Sequence, residues 1–271
     1  MEANVPVPAG RTPPPKRRSP LAGWGAAALA VLAKFKFLLV FLKTGGTMLV
    51  TMWVYGLIFG WKYAVGFVLL IFIHECGHLV VARMFGLKVG APVFIPFMGA
   101  MIALKEAPRD AWMEAWVGIG GPIFGTLGAL LCLGIFFTTG EPLFRALAYS
   151  GFLLNLFNLA PIPPLDGGRI VGAVSPWLWI VGVALLAGYL VLQVLEIVPG
   201  FNLLILLIVV VSIPRVWRTL SNREVRDAPY FALQPSQRWT IAVLYFGLAA
   251  LLALGMTQTH FDARAHVQAT L

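Results

Sequence analysis

Read from its amino terminus, the chain alternates long apolar runs with short polar connectors. Runs recur at Val65–Val81, Ala115–Phe137, Leu143–Ala160, Trp177–Leu195, Leu203–Ile213 and Ile241–Met256. Most approach the roughly 20 residues that carry a helix across the hydrocarbon of a bilayer. A further, short span is expected at about Thr47–Tyr63, and Leu21–Lys43, interrupted by Lys34, Lys36 and Lys43, reads as an interfacial helix or an extra span. One segment breaks the pattern. Val89–Leu104 is apolar but carries Pro92, Pro96 and Gly99, which argue against a spanning helix and for short strands or a re-entrant ribbon. The fold class expected is an all-α polytopic membrane protein of about six to seven transmembrane helices, with a small membrane-associated β ribbon between the second and third spans.

Composition agrees with that pattern. Of 271 residues, 59% are hydrophobic and 11% charged, whereas soluble domains carry roughly 25% charged residues. The net charge of +9 comes mainly from Lys and Arg beside the expected spans, which suits cytoplasmic loops and anionic lipid rather than nucleic acid. Arg83, Lys88, Lys105 and Arg109 follow one run and Arg215, Arg218, Arg223 and Arg226 another, so those loops are expected on the cytoplasmic side with the N-terminus. Residues 1–20 are basic and proline-rich, lack the hydrophobic centre of a secretory signal, and are expected to form a cytosolic tail. Six segments follow: this tail, 21–46, a membrane core at 47–172, a transmembrane hairpin at 173–214, a cytosolic loop at 215–237 and a last span with a short tail at 238–271. The simplest location is a bacterial plasma membrane. Cys76 and Cys132 fall in different apolar runs and are expected as free thiols.

Charge inside an apolar helix is costly and marks function. The run from Val65 contains three ionisable residues in five, His74-Glu75-Cys76-Gly77-His78. Histidines at i and i+4 lie on one helix face, about a turn apart, and can reach one tetrahedral zinc ion. Glu75, on the adjoining flank, is placed to act as general base on a water at that metal. A catalytic zinc takes a third protein ligand. His260 and His266 are expected across the membrane, whereas Asp166, at the end of the Leu143–Ala160 run, arrives at the depth of His78. Pro161, Pro163 and Pro164 end that helix, and Gly167-Gly168 are expected to form a tight turn that aims the carboxylate into the bundle.

The two motifs together resemble the site-2 protease family of intramembrane metalloproteases, whose signatures are HExGH on one helix and NxxPxPxLDG on a later one. The resemblance covers roughly Thr47–Arg169. It implies that His74, His78 and Asp166 bind one zinc ion, that Glu75 is the catalytic base, and that Asn158 assists substrate binding or the oxyanion. Gly121-Pro122 looks like the family's Gly-Pro motif, but the usual Asn three residues after the proline is Gly125 here. The expected substrate is a membrane-anchored protein or peptide in the lipid bilayer. A helical substrate must unwind to expose its carbonyl, and the Val89–Leu104 ribbon, through Phe97 and Gly99, is expected to pair with it as an added strand, or else to be a structural loop. The alternative function is a non-proteolytic membrane protein, an ion or metal transporter or a protease-like scaffold. A di-metal oxidase is excluded, because two membrane histidines are too few for its ligand set.

Overall fold

The structure is a computed structural model that describes residues 44–97, 99–200 and 202–260. The expected tail at 1–20, the segment 21–43 and His266 lie outside the described residues.

Nine helices and a β hairpin follow one another among the described residues. In order they are α1 (Thr44–Phe59), α2 (Trp61–Met84), β1 (Val89–Ile95), β2 (Gly99–Leu104), α3 (Ala111–Thr139), α4 (Pro142–Asn158), α5 (Asp166–Val174), α6 (Leu178–Val194), α7 (Leu203–Ser221), α8 (Arg223–Arg226) and α9 (Pro235–Thr259), with a 3₁₀ turn at Pro229–Phe231. Four of them, α2, α3, α7 and α9, are long and apolar enough to cross a membrane, while α1 and α6 are shorter apolar helices. Trp239, Val243, Phe246 and Leu254 stand exposed along α9. Such an outward apolar face is solvated by lipid rather than water.

Several boundaries differ from those expected. The first helix stops at Phe59 instead of running to Tyr63, because Gly60 takes a positive φ of 86° that reverses the chain. Trp61–Tyr63 therefore begin α2. The expected loop at 215–237 is largely helical: α7 continues past Ile213 through Pro214 to Ser221, and Arg215 and Arg218 ride on its last turns. Gly167-Gly168 form no turn of positive φ. Asp166 is the first residue of α5, and a Cβ on Gly167 would strike the carbonyls of Leu159 and Ala160. These glycines are required by close packing of α5 on the proline loop.

The α2–α3 pair forms the heart of the molecule. A Cβ on Gly120 would meet the Gly77 carbonyl at 2.6 Å, and one on Gly77 would strike the Gly120 carbonyl. Small residues let helices approach backbone to backbone where the hydrophobic effect between them is absent. The largest core cluster joins α3, α4, α5, α6 and α9 around Ile119, Phe152, Ile170 and Trp179.

The ribbon is an antiparallel hairpin with Phe94 opposite Ala100 and Pro92 opposite Ile102. Phe97 (φ 63°) and Gly99 (φ 89°) make its tip. It is sewn to α1: the Phe97 N–H donates to Tyr55 Oη at 2.9 Å and the Phe94 N–H to Thr47 Oγ1 at 3.2 Å.

Candidate metal centre

His74 and His78 project from one face of α2, and Asp166 is delivered by the start of α5. All three are buried, at 2%, 8% and 8% exposure. The His74 Nε2 to His78 Nε2 distance is 3.1 Å, and each Nε2 lies 3.2 Å from Asp166 Oδ2. Three donors bonded at about 2.0–2.2 Å to a tetrahedral ion stand about 3.3–3.5 Å apart. The triangle therefore matches a single small cation, and two imidazoles with a carboxylate are the donor set of a catalytic zinc site with an open fourth position.

Each ring is also held from behind. His78 Nδ1 lies 2.7 Å from the Val117 carbonyl of α3, which can only accept, so Nδ1 carries the hydrogen and Nε2 presents its lone pair. His74 Nδ1 lies 2.8 Å from Asn155 Oδ1 of α4. Gly121 makes room for both rings, since a Cβ there would strike His78 Nε2 and come within 2.8 Å of His74 Nε2.

A cavity of about 270 Å³ opens beside the triangle, lined by His74, Glu75, His78, Asp166, Asn158 and Arg169 among others. The walls also include Gly99, Ala100 and Ile102 of β2. The adjoining space, about 610 Å³ and mostly apolar, is bounded by Tyr55, Phe67, Phe97, Phe157 and by Leu207 and Val211 of α7. Gly99, Leu154, Asn158 and Leu165 line both.

The structure thus brings together His74, Glu75, His78, Asp166, Asn158 and Gly99. Phe97 borders only the apolar cavity. His260 packs beside Tyr149, apart from the cluster, and both cysteines are free thiols. The sequence reading missed Asn155, the Val117 carbonyl, Gly121 as a clearance and Arg169. Asn155 carried one signal, a polar residue within an apolar run; a backbone carbonyl carries none.

Residues 62–150 match the model of peptidase family M50. That span includes His74, Glu75 and His78, and Asp166 lies beyond its end. A zinc metalloprotease of Methanocaldococcus jannaschii is 33% identical over 120 residues, covering 41% of this chain and 34% of that protein. Rip3 of Mycobacterium tuberculosis is 38% identical over 113 residues, 39% of this chain and 28% of its own length. A Synechocystis relative is 29% identical over 109 residues, 37% of this chain and 28% of that protein; both of these also carry zinc metalloprotease in their names. The chain thus matches about a third of the length of these curated relatives. Family match, relatives and a buried histidine–histidine–aspartate triangle agree: residues 62–150 are similar to peptidase family M50, and the triangle that completes around them is that of a metal site.

Proposed function

We propose that the protein is an intramembrane zinc metalloprotease that hydrolyses peptide bonds of membrane-anchored proteins or peptides at the edge of the bilayer. The observation that carries this reading is the three-donor triangle and Glu75 sharing one cavity that opens into a larger apolar one. When bound, zinc supplies Lewis acidity that polarises the scissile carbonyl and acidifies the attacking water. Glu75, 6% exposed and next to His74, takes the proton from that water and returns it to the leaving amine. Asn158 donates its amide hydrogen to the developing oxyanion without adding charge to a low-dielectric site. The apolar cavity takes the flanking side chains of the substrate, and its size falls in the roughly 300–1,000 Å³ of ordinary ligand sites.

Strand addition at β2 holds the unwound substrate. The Phe94 N–H turns outward to Thr47, so Phe94 and Ala100 form a non-hydrogen-bonded pair. Two residues on, Pro92 has no N–H and faces Ile102. By the same alternation the N–H and C=O groups of Ala100 and Ile102 point away from β1. Both residues line the metal cavity, and β2 has no other strand partner among the described residues. Their free groups match the alternate hydrogen bonds of an extended peptide.

The test is zinc content and cleavage of a single-span reporter peptide reconstituted in liposomes, for the wild type and Glu75→Gln. Retained zinc with cleavage slowed roughly 10²-fold or more is expected. Equal cleavage by both proteins overturns the protease reading, and a wild type that binds no zinc overturns the site.

A further inference from the structure

Of the two histidines in the triangle, one is oriented by backbone and the other by a side chain that neither motif contains. Asn155 lies on α4, a helix that supplies none of the three donors, and is 1% exposed. Its Nδ2 donates to the Gly151 carbonyl one turn back at 2.7 Å. That bond fixes which way round the amide sits. Oδ1 is left as the acceptor facing His74 Nδ1 at 2.8 Å. An acceptor at Nδ1 requires the hydrogen there, so the lone pair of His74 falls on Nε2, the atom that points at His78 and Asp166.

The amide occupies space cleared for it by α3. A Cβ on Gly125 would come within 2.5 Å of Asn155 Nδ2 and 2.7 Å of its Cγ, and would strike Oδ1. Gly125 and Asn155 are therefore one device: α3 gives up a side chain where α4 inserts an amide behind the metal ligand of α2. Thr126, the next residue of α3, turns its hydroxyl to the Pro122 carbonyl at 2.6 Å.

We propose that Asn155 is a positioning residue for the metal, fixing the tautomer and plane of His74. The inference rests on the metal-binding reading of the triangle. A buried hydrogen-bond partner behind a ligating imidazole is worth about 10–100-fold in metal affinity. The choice of an amide has a consequence as well. It orients His74 without bringing a second carboxylate beside Asp166, so the site keeps the net positive charge of a zinc ion with one anionic ligand.

The experiment is zinc affinity, measured by competition with a chromophoric chelator on the full chain purified in detergent. Four proteins are compared: the wild type, Asn155→Leu, Asn155→Asp, and a double variant that moves the amide to α3, Gly125→Asn with Asn155→Gly. Asn155→Leu removes the acceptor and is expected to bind zinc about 10–100-fold more weakly. Asn155→Asp keeps an acceptor and is expected to stay close to the wild type. The double variant is expected to bind zinc within a few-fold of the wild type, a recovery that a merely structural role would not produce.

Visible absorption of the Co²⁺-loaded wild type and variants gives a second readout, with the d–d bands of Asn155→Leu shifted and those of Asn155→Asp preserved. Should Asn155→Leu not fold, the Asp variant and the double variant decide the matter, because both then must bind zinc within a few-fold of the wild type. Wild-type affinity in a folded Asn155→Leu, or loss of affinity in both acceptor-bearing variants, overturns the positioning role while leaving the metal site standing. A wild type that binds no zinc overturns both.

Discussion

At the scale of single residues, the centre is governed by clearance as much as by chemistry. Gly121 is a case where the usual rule for helices points the wrong way. Replacing an interior glycine with alanine favours a helix by up to about 1 kcal/mol. Here the added methyl lies on the imidazole nitrogens, and the ring of His78, being the far end of a side chain, is what gives. Gly121→Ala is therefore expected to leave helicity and thermal stability unchanged or slightly raised, while zinc content in the purified protein falls roughly tenfold or more. Circular dichroism beside metal analysis separates the two effects. Unchanged zinc content would show that the rings do not need that space.

At the scale of elements, the hairpin and the α2–α3 pair divide the work. The pair is closely packed, with the backbones of Gly77 and Gly120 in contact, and positions two ligands and one orienting carbonyl. The hairpin stands across the cavity with one strand anchored to α1 and the other exposed to it. This asymmetry predicts different outcomes for proline in adjacent positions. At Ala100 the N–H already points out of the ladder, so Ala100→Pro keeps the hairpin and is expected to cut cleavage of the liposome reporter at least about tenfold while zinc stays bound. At Met101 the N–H belongs to the ladder, so Met101→Pro unpairs the hairpin itself. Full cleavage by the Ala100 variant would remove strand addition from the mechanism without touching the metal chemistry. The expectation drawn from the sequence, a ribbon rather than a helix at Val89–Leu104, followed from prolines and β-branched residues. Its pairing with α1 did not, because Thr47 and Tyr55 are distant in the chain and unremarkable in a helix.

At the scale of the whole molecule, a polar network outside the site ties the C-terminal third to the core. Tyr230 donates to Glu114 of α3 at 2.5 Å and Arg215 of α7 reaches the same carboxylate at 3.2 Å. Arg238 at the start of α9 donates to the carbonyls of Val174 and Phe231. Through Arg215 the end of α7 is fixed to α3, and α7 forms part of the wall of the apolar cavity. The phenol of Tyr230 is held well above its ordinary range, first by burial and then by the neighbouring Glu114 carboxylate. Its folded-state pKa is raised, so the tether is fully present below the ordinary phenol pKa of about 10 and weakens as pH rises above it. Tyr230→Phe is expected to cost about 1.5–3 kcal/mol near neutral pH, the range for a hydrogen bond to a charged group. Zinc content should not change. A melting curve that falls no more steeply above pH 10 in the wild type than in the variant would deny the tether its role.

The sequence alone determined the class of the molecule and most of the donor set. Apolar runs of bilayer length have few physical homes, and an H-E-x-x-H pattern buried in one of them fixes two ligands by helix periodicity, which is a local property. Asp166 was legible through chain order and depth, but its approach to 3.2 Å was decided by packing: α5 starts at that residue because glycines 167 and 168 let it settle on the proline loop. Asn155, the Val117 carbonyl and Gly121 could be assigned only once α2, α3 and α4 met, since an orienting contact depends on the distance between helices and leaves no periodic trace along any one of them. The open edge of β2 belongs to the same class. Which strand edge faces the metal is set by which edge another helix has already taken.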